Sequence, residues 1–203
     1  MNIYSYVVTR DYGFAPNPFG EYCTLATCKP RIRAAAAVGD WVVGTGSKQL
    51  GMESSLIFAM QVSEAMSFTA YWNDPRFAYK KPVMNGSVVQ MFGDNIYHQA
   101  AGEWVQANSH HSHEDGSANE LNIKKDTQAD RVLVSTNFYY FGKAAPVLPE
   151  ELADVFKVGI GHKKLTEAQA QSLIDWLRTN HTTGLQDDPI EFDNKQFDRY
   201  DGK

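Results

Sequence analysis

The sequence predicts an α+β fold: a small, mixed, bent β-barrel with short inserted helices and a helical C-terminal cover. Three observations carry this. Runs rich in Val, Ile and aromatic residues (IYSYVVT, LIFAMQV, SVVQMFG, RVLVSTNFYYFG) alternate with Gly- and Pro-containing loops, as short strands do. Near the end, LTEAQAQSLIDWLRTN repeats its apolar residues at helical spacing. Strands dominate the first part and helices the last, the order of an α+β chain. The expected division is a barrel-like domain over residues 1–148 and a helical extension over 149–203 packed on it.

Each element has its local reason. IYSYVVT (residues 3–9) opens as a strand. It runs into RDYGFAPNPFGEY, where Pro16 and Pro18 prevent regular pairing and predict an ordered loop. TLATC resumes extended structure, and Pro30 suits the first turn of a helix reaching roughly Val38. Gly39-Asp40 makes a corner, Trp41 to Val43 a buried strand, and Gly44 to Ser47 a turn. SSLIFAMQVSE (54–64) has a near-continuous apolar run, predicting burial on both faces. Ser67 caps a helix that stops before Pro75. SVVQMFG (87–93) and RVLVSTNFYYFG (131–142) read as strands, with an aromatic hairpin-like segment, DNIYHQAAGEWVQ, between them. PEELADVFK reads as helical. In the last helix Thr166 and Gln169 form a capping box, and Ala170, Leu173, Ile174 and Leu177 make one apolar face. The final stretch from Thr182 is a polar, turn-rich strap.

Composition sets bounds on function. At 203 residues and 43% hydrophobic, the chain can build a real core. Its net charge of −5 argues against a broad phosphate-binding face, but a pocket for one nucleotide needs only one or two cations. No apolar run approaches the ~20 residues of a spanning helix, and the start lacks a signal peptide's basic head and apolar stretch. The expectation is a cytoplasmic protein without membrane contact, its Cys23 and Cys28 reduced and half-buried on a strand and its exit.

Several segments carry chemistry. NSHHSHEDGS (108–117) holds three of the six histidines. Extended, it turns His111 and His113 to one side, where they can hold zinc or another divalent metal with help from elsewhere. Alternatively His110 or His111 is an acid–base group, or the loop is only a polar turn. In the N-terminal loop, Arg10 suits a phosphate, and Tyr12 and Phe14 suit stacking on a base; equally, Phe14 plugs the barrel end and Arg10 pairs with Asp11. Gly44-Thr45-Gly46-Ser47 lacks a P-loop's spacing and reads first as a turn. WNDPRFAYKKP (72–82) sets Asp74, Arg76, Lys80 and Lys81 among aromatics, either toward a phosphodiester or as a solvated helix exit. No Gly-x-Ser-x-Gly elbow, spaced carboxylate pair or sequence-placeable Cys–His pair stands out.

Taken in order, YVVTRDYGFAPNPFGEYCTLATCKPRIR, GDWVVGTGS, LIFAMQVSEAMSFTAYWNDPRF, GDNIYH, SHHSHEDG and RVLVSTNFYYFG resemble the second type of nucleotide-modification-associated domain, over roughly residues 1–148. That family is named for its genomic company with DNA- and nucleotide-modifying systems, so the resemblance implies a nucleotide-related role without assigning a reaction. The residues it carries over are Arg10, Asp11, Gly13, Trp72, Asp74, Arg76, Gly93, Asp94, Asn95, His110 and His111. GDWV before a buried strand is also similar, at the level of fold, to base-recognising barrels of the PUA and EVE kind.

The leading expectation is a domain that binds a nucleotide or modified base at the barrel mouth. Arg10 takes phosphate, Tyr12, Phe14 or Trp72 stacks, Asp11 or Asn95 reads the base edge, and Asp74, Arg76 and Asp94 belong to the same site. DNA or a DNA-modification enzyme is the expected partner. The alternatives are an enzyme that uses His110, His111 or His113 on a nucleotide or DNA base, and a protein-interaction module.

Overall fold

The computed structural model of the protein describes residues 1–157, 159–194 and 197–202, with 193 and 194 as backbone alone. In chain order the strands are β1 (Ile3–Val7), β2 (Cys23–Leu25), β3 (Trp41–Thr45), β4 (Leu56–Gln61), β5 (Glu64–Met66), β6 (Tyr97–Ala100), β7 (Glu103–Gln106), β8 (Val132–Ser135), β9 (Asn137–Tyr140), β10 (His162–Lys164) and β11 (Gly184–Leu185). The α-helices are α1 (Pro30–Ala35), α2 (Phe68–Asn73), α3 (Val88–Met91), α4 (Glu120–Asp126) and α5 (Glu167–Asn180). This is a mixed α+β chain. None of its described helices is long and apolar enough to cross a membrane.

The chain divides into two compact units, each assembled from three separate stretches. The first comprises Met1–Asp11, Ala36–Glu64 and Ser135–Glu191. Its sheet runs β10-β1-β3-β4-β9-β11, with β1 parallel to β3 and β9 parallel to β11. β10 and β11 are its edges, so among the described residues the sheet stays open; no closed barrel forms. Gly44 lies at a bulge in β3, where a Cβ would stand 2.2 Å from the Phe58 ring, so β3 continues through the expected turn to Thr45. On the sheet packs α5, whose capping box forms between Thr166 and Gln169. Its Leu173, Ile174 and Leu177 are buried with Trp41, Leu152 and Val155, worth about 1.5–3 kcal/mol per large aliphatic side chain. PEELADVFK tightens into a 3-10 turn over Glu150–Val155 rather than an α-helix.

The second unit comprises Tyr12–Ala35, Ala65–Val134 and Phe192–Lys203. It holds the sheet β2-β8-β5, the hairpin β6-β7 and α1 to α4. The hairpin turns at Ala101-Gly102, both at positive φ, as a tight two-residue connection requires. Its core is aromatic: Phe14, Phe68, Tyr71, Phe77, Phe92 and Tyr97 are all buried.

Two expected strands differ. SVVQMFG forms the short helix α3, because Ser87 and Gln90 close a reciprocal capping box that outweighs the β preference of Val88 and Val89. RVLVSTNFYYFG breaks at exposed Thr136 into β8 and β9, which join different sheets. The Ser135 hydroxyl there accepts the Asn137 amide and donates to the Asn137 carbonyl, replacing ladder bonds.

Candidate functional site

The histidine segment is a turn, not a strand. The Ser112 hydroxyl accepts the Ser109 amide at 2.9 Å and the Ser112 amide bonds back to the Ser109 carbonyl at 3.1 Å. His110 and His111 are thereby turned into the protein while His113 stays exposed, so the two expected ligands do not share a face. Among the described residues, no group of three His, Cys, Asp or Glu side chains is placed to hold a metal ion.

His111 is 2% exposed and belongs to a polar network inside the second unit. Gln106 Nε2 and Asn122 Nδ2 both donate to its carbonyl, at 3.0 and 2.8 Å. Its ring Nδ1 lies 2.8 Å from Asp126 Oδ2, and its Nε2 lies 3.9 Å from Cys28 Sγ. Asp126 closes α4. Its Oδ2 also accepts the Tyr97 hydroxyl at 3.0 Å, and its Oδ1 accepts the Cys28 amide at 2.7 Å. Burial alone would depress His111, but the Asp126 charge and hydrogen bond outweigh it and raise the imidazole to about 9. Burial likewise pushes the Asp126 carboxyl up, and His111 and Arg33 overcome that to hold it below its usual value. The result is a buried imidazolium–carboxylate pair with a thiol against the far ring nitrogen.

Cys28 reaches this position through an unusual turn. Cys28 and Lys29 have φ of 56° and 40°, a left-handed conformation that costs a non-glycine residue about 1–2 kcal/mol. Arg33, buried in α1, holds the turn. Its guanidinium donates to the carbonyls of Cys28 (2.8 Å), Ala129 (2.7 Å), Arg131 (2.5 Å) and Asp126 (2.6 Å). One side chain therefore ties the cysteine turn to the end of α4 and to the entry of β8.

Aromatic rings enclose the histidines. Phe14 lies 4.8 Å and Tyr200 5.3 Å from the His111 ring, centroid to centroid. His110 sits among Tyr12, Phe14, Phe92 and Phe197, with its Nδ1 2.5 Å from the Asp198 carbonyl. The C-terminal strap is fixed here: the Tyr200 amide donates to the His110 carbonyl at 2.8 Å, and Arg199 reaches Ser109 and Ser112.

The other expected site residues lie elsewhere. Arg10 and Asp11 belong to the first unit. Arg10 pairs with Glu191 at 3.3 Å, while the Asp11 carboxylate accepts the Tyr140 hydroxyl and the Ile190 amide. In the second unit Tyr12 stacks on Phe92 at 4.9 Å. Trp72 stacks on His98 at 4.3 Å, with Lys81 Nζ 3.9 Å over its ring. Asp74 caps the next turn and grips Arg76 at 2.6 Å, so both serve local structure. Asp94 is fully buried, accepting from Thr24 and Tyr71 at 2.6 and 2.8 Å, and burial raises its carboxyl to about 6. Asn95 is buried too, donating to the carbonyls of Tyr71 and Phe77. Lys80, read as a solvated helix exit, is 1% exposed and donates to Asn17 and Phe19; burial lowers it to about 8.

The array Cys28–His111–Asp126 thus unites one residue the sequence singled out with two it did not. The signal for Cys28 was its position just before Pro30 at the exit of a strand; Asp126 carried none, because Lys124-Lys125-Asp126 reads as a solvated helix end.

Comparison with the curated proteins yields no match, and comparison with solved structures yields none. A family model described as nucleotide modification associated domain 2 matches residues 1–196, nearly the whole chain and well beyond the histidine turn. The chain belongs to the nucleotide modification associated domain 2 family.

Proposed function

We propose that this chain is an enzyme acting on a nucleotide or on a base of DNA, with His111 and its partner Asp126 at the reactive centre. The observation that supports this best is the buried imidazole held at 2.8 Å from a buried carboxylate. Burying two opposite charges gains little stability over a well-packed apolar pair, so such pairs concentrate where chemistry needs an oriented, charged ring. The family's association with nucleotide modification supports that substrate class, and the half-buried ring of Tyr200 beside His111 is the kind of surface on which a base stacks. In this reading Asp126 is a positioning residue that fixes the His111 tautomer and plane, and His111 moves the proton.

A second reading is binding of a nucleotide or modified base without turnover, as a reader serving a DNA-modification enzyme. It is favoured by the Trp72, His98 and Lys81 stack, which sets a ring face beside a cation. The two separate in one experiment. Nucleosides, nucleotides and short single-stranded oligonucleotides are screened for a rise in melting temperature, then hits are incubated with the protein and analysed by mass spectrometry. For an enzyme, His111→Asn keeps the melting shift and loses product formation by ~10²-fold or more. A ligand that shifts melting but is recovered chemically unchanged from the wild type leaves the reader; absence of any shift removes both.

A further inference from the structure

We propose that Cys28 is a nucleophile that adds to the electron-poor ring carbon C6 of a pyrimidine base, with His111 as its proton partner. The proposal rests on the nucleotide-directed reading above and names the bond that reading leaves open.

Four observations carry it. Cys28 Sγ faces His111 Nε2 at 3.9 Å while the opposite ring nitrogen is held by Asp126, an arrangement in which a charged imidazole stabilises a thiolate and a carboxylate orients the ring. Cys28 is only partly buried, and the Arg33 guanidinium donates to its carbonyl at 2.8 Å with Lys29 next in the chain, a cationic setting of the kind in which reactive cysteines occur. Its backbone is held left-handed by bonds at both its amide and its carbonyl, so the sulfur is presented by construction. Cys23 shows the contrast: fully buried on β2, its thiol is pushed up to about 12 by burial, as expected of an inert core residue.

The fourth observation selects the reaction. A cysteine that attacks an acyl carbon commonly needs backbone N–H groups for the oxyanion at that carbon. Here the Cys28 amide is already committed to Asp126 Oδ1 at 2.7 Å. Addition to a conjugated ring makes no such demand, because the displaced electron pair moves away to the far end of the ring. As Sγ bonds to C6, the C5–C6 double bond breaks and its electrons delocalise from C5 through the group at C4. C5 then takes a proton from water, leaving hydroxide. The hydroxide removes the original C5 hydrogen and becomes water again, which restores the double bond and expels the thiolate, while the charged His111 keeps its own proton beside Sγ throughout. The cycle balances with water alone, and its trace is exchange of the C5 hydrogen with solvent.

The test is to incubate the full chain in D2O with deoxycytidine monophosphate, deoxyuridine monophosphate or a single-stranded oligonucleotide of both bases, following the H5 signal by NMR. Melting of the protein is recorded with each probe. We expect wild type and Cys23→Ser to exchange H5 at least ~10²-fold faster than buffer, His111→Asn to be slowed, and Cys28→Ser to be silent. Iodoacetamide labelling of the folded wild type at Cys28, mapped by peptide mass spectrometry, should silence it equally without a substitution. A probe that shifts melting but exchanges no H5, or a Cys28→Ser protein that still exchanges, overturns thiol addition and leaves the nucleotide reading standing. No melting shift with any probe removes both.

Discussion

Raising the pH should weaken the fold through His111, and the size follows from its surroundings. In the unfolded chain an imidazole titrates near ~6.5; in the fold, Asp126 holds this one at about 9 against the opposing effect of burial. The folded state therefore binds the proton more tightly between these values. Its contribution is fully present below about 6.5 and disappears as the pH climbs through about 9. At about 1.4 kcal/mol per pH unit, that window corresponds to a loss of ~3 kcal/mol. Lys80 works in the opposite direction, since burial lowers its ammonium to about 8 and its charging burden is relieved above that pH. The measurement is therefore a difference. Urea unfolding is followed at pH 6, 7.5 and 9 for wild type and for His111→Asn, which offers Asp126 an N–H donor but never a charge. The stability advantage of wild type should shrink by ~3 kcal/mol across the series. An advantage that stays constant, or grows, would refute the idea that His111 is the charged partner of Asp126.

Two further outcomes test the frame around the site. Arg33→Met removes the one donor shared by four main-chain carbonyls, and unfolding free energy in urea should fall by ~3 kcal/mol or more. Gly93→Ala would place a Cβ 2.3 Å from the Lys80 carbonyl, whereas Gly39→Ala meets nothing within 4 Å and faces only its positive φ. Thermal melting should therefore drop by several degrees more for the first than for the second, whose cost is ~1–2 kcal/mol.

What was legible in the sequence was local. The capping box at Thr166 and Gln169, the Ser67 cap and the apolar run of β4 act within a few residues, and each formed as written. Where two local signals compete, the pattern alone does not rank them: the cap of Ser87 and Gln90 overrides the β preference of Val88 and Val89. Nothing at Thr136 announced a change of sheet. The site follows the same rule. His110 and His111 stood out by type, but the partners that give His111 its charge lie 83 and 15 positions away. Arg10 and Asp11 looked like ligand groups because an Arg–Asp pair in an aromatic loop resembles one; instead they bind Glu191, Tyr140 and Ile190 some 130 to 180 positions on. Lys80 reads as solvated in the sequence because only tertiary packing can bury a lysine, and its acceptors, Asn17 and Phe19, lie 63 and 61 positions away.

The carbonyl cradle of Arg33 carries one more consequence, for behaviour in salt. All four of its hydrogen bonds end on main-chain dipoles rather than on a carboxylate, and the residue is buried. Mobile ions screen exposed charge pairs such as Arg10–Glu191, but they cannot enter a sealed ring of peptide oxygens. Contacts to a nucleic-acid backbone weaken steeply as ionic strength rises. The turn that presents Cys28 should not, so under the proposed nucleotide-directed function salt would weaken binding of a polynucleotide while leaving the geometry of the Cys28 turn unchanged.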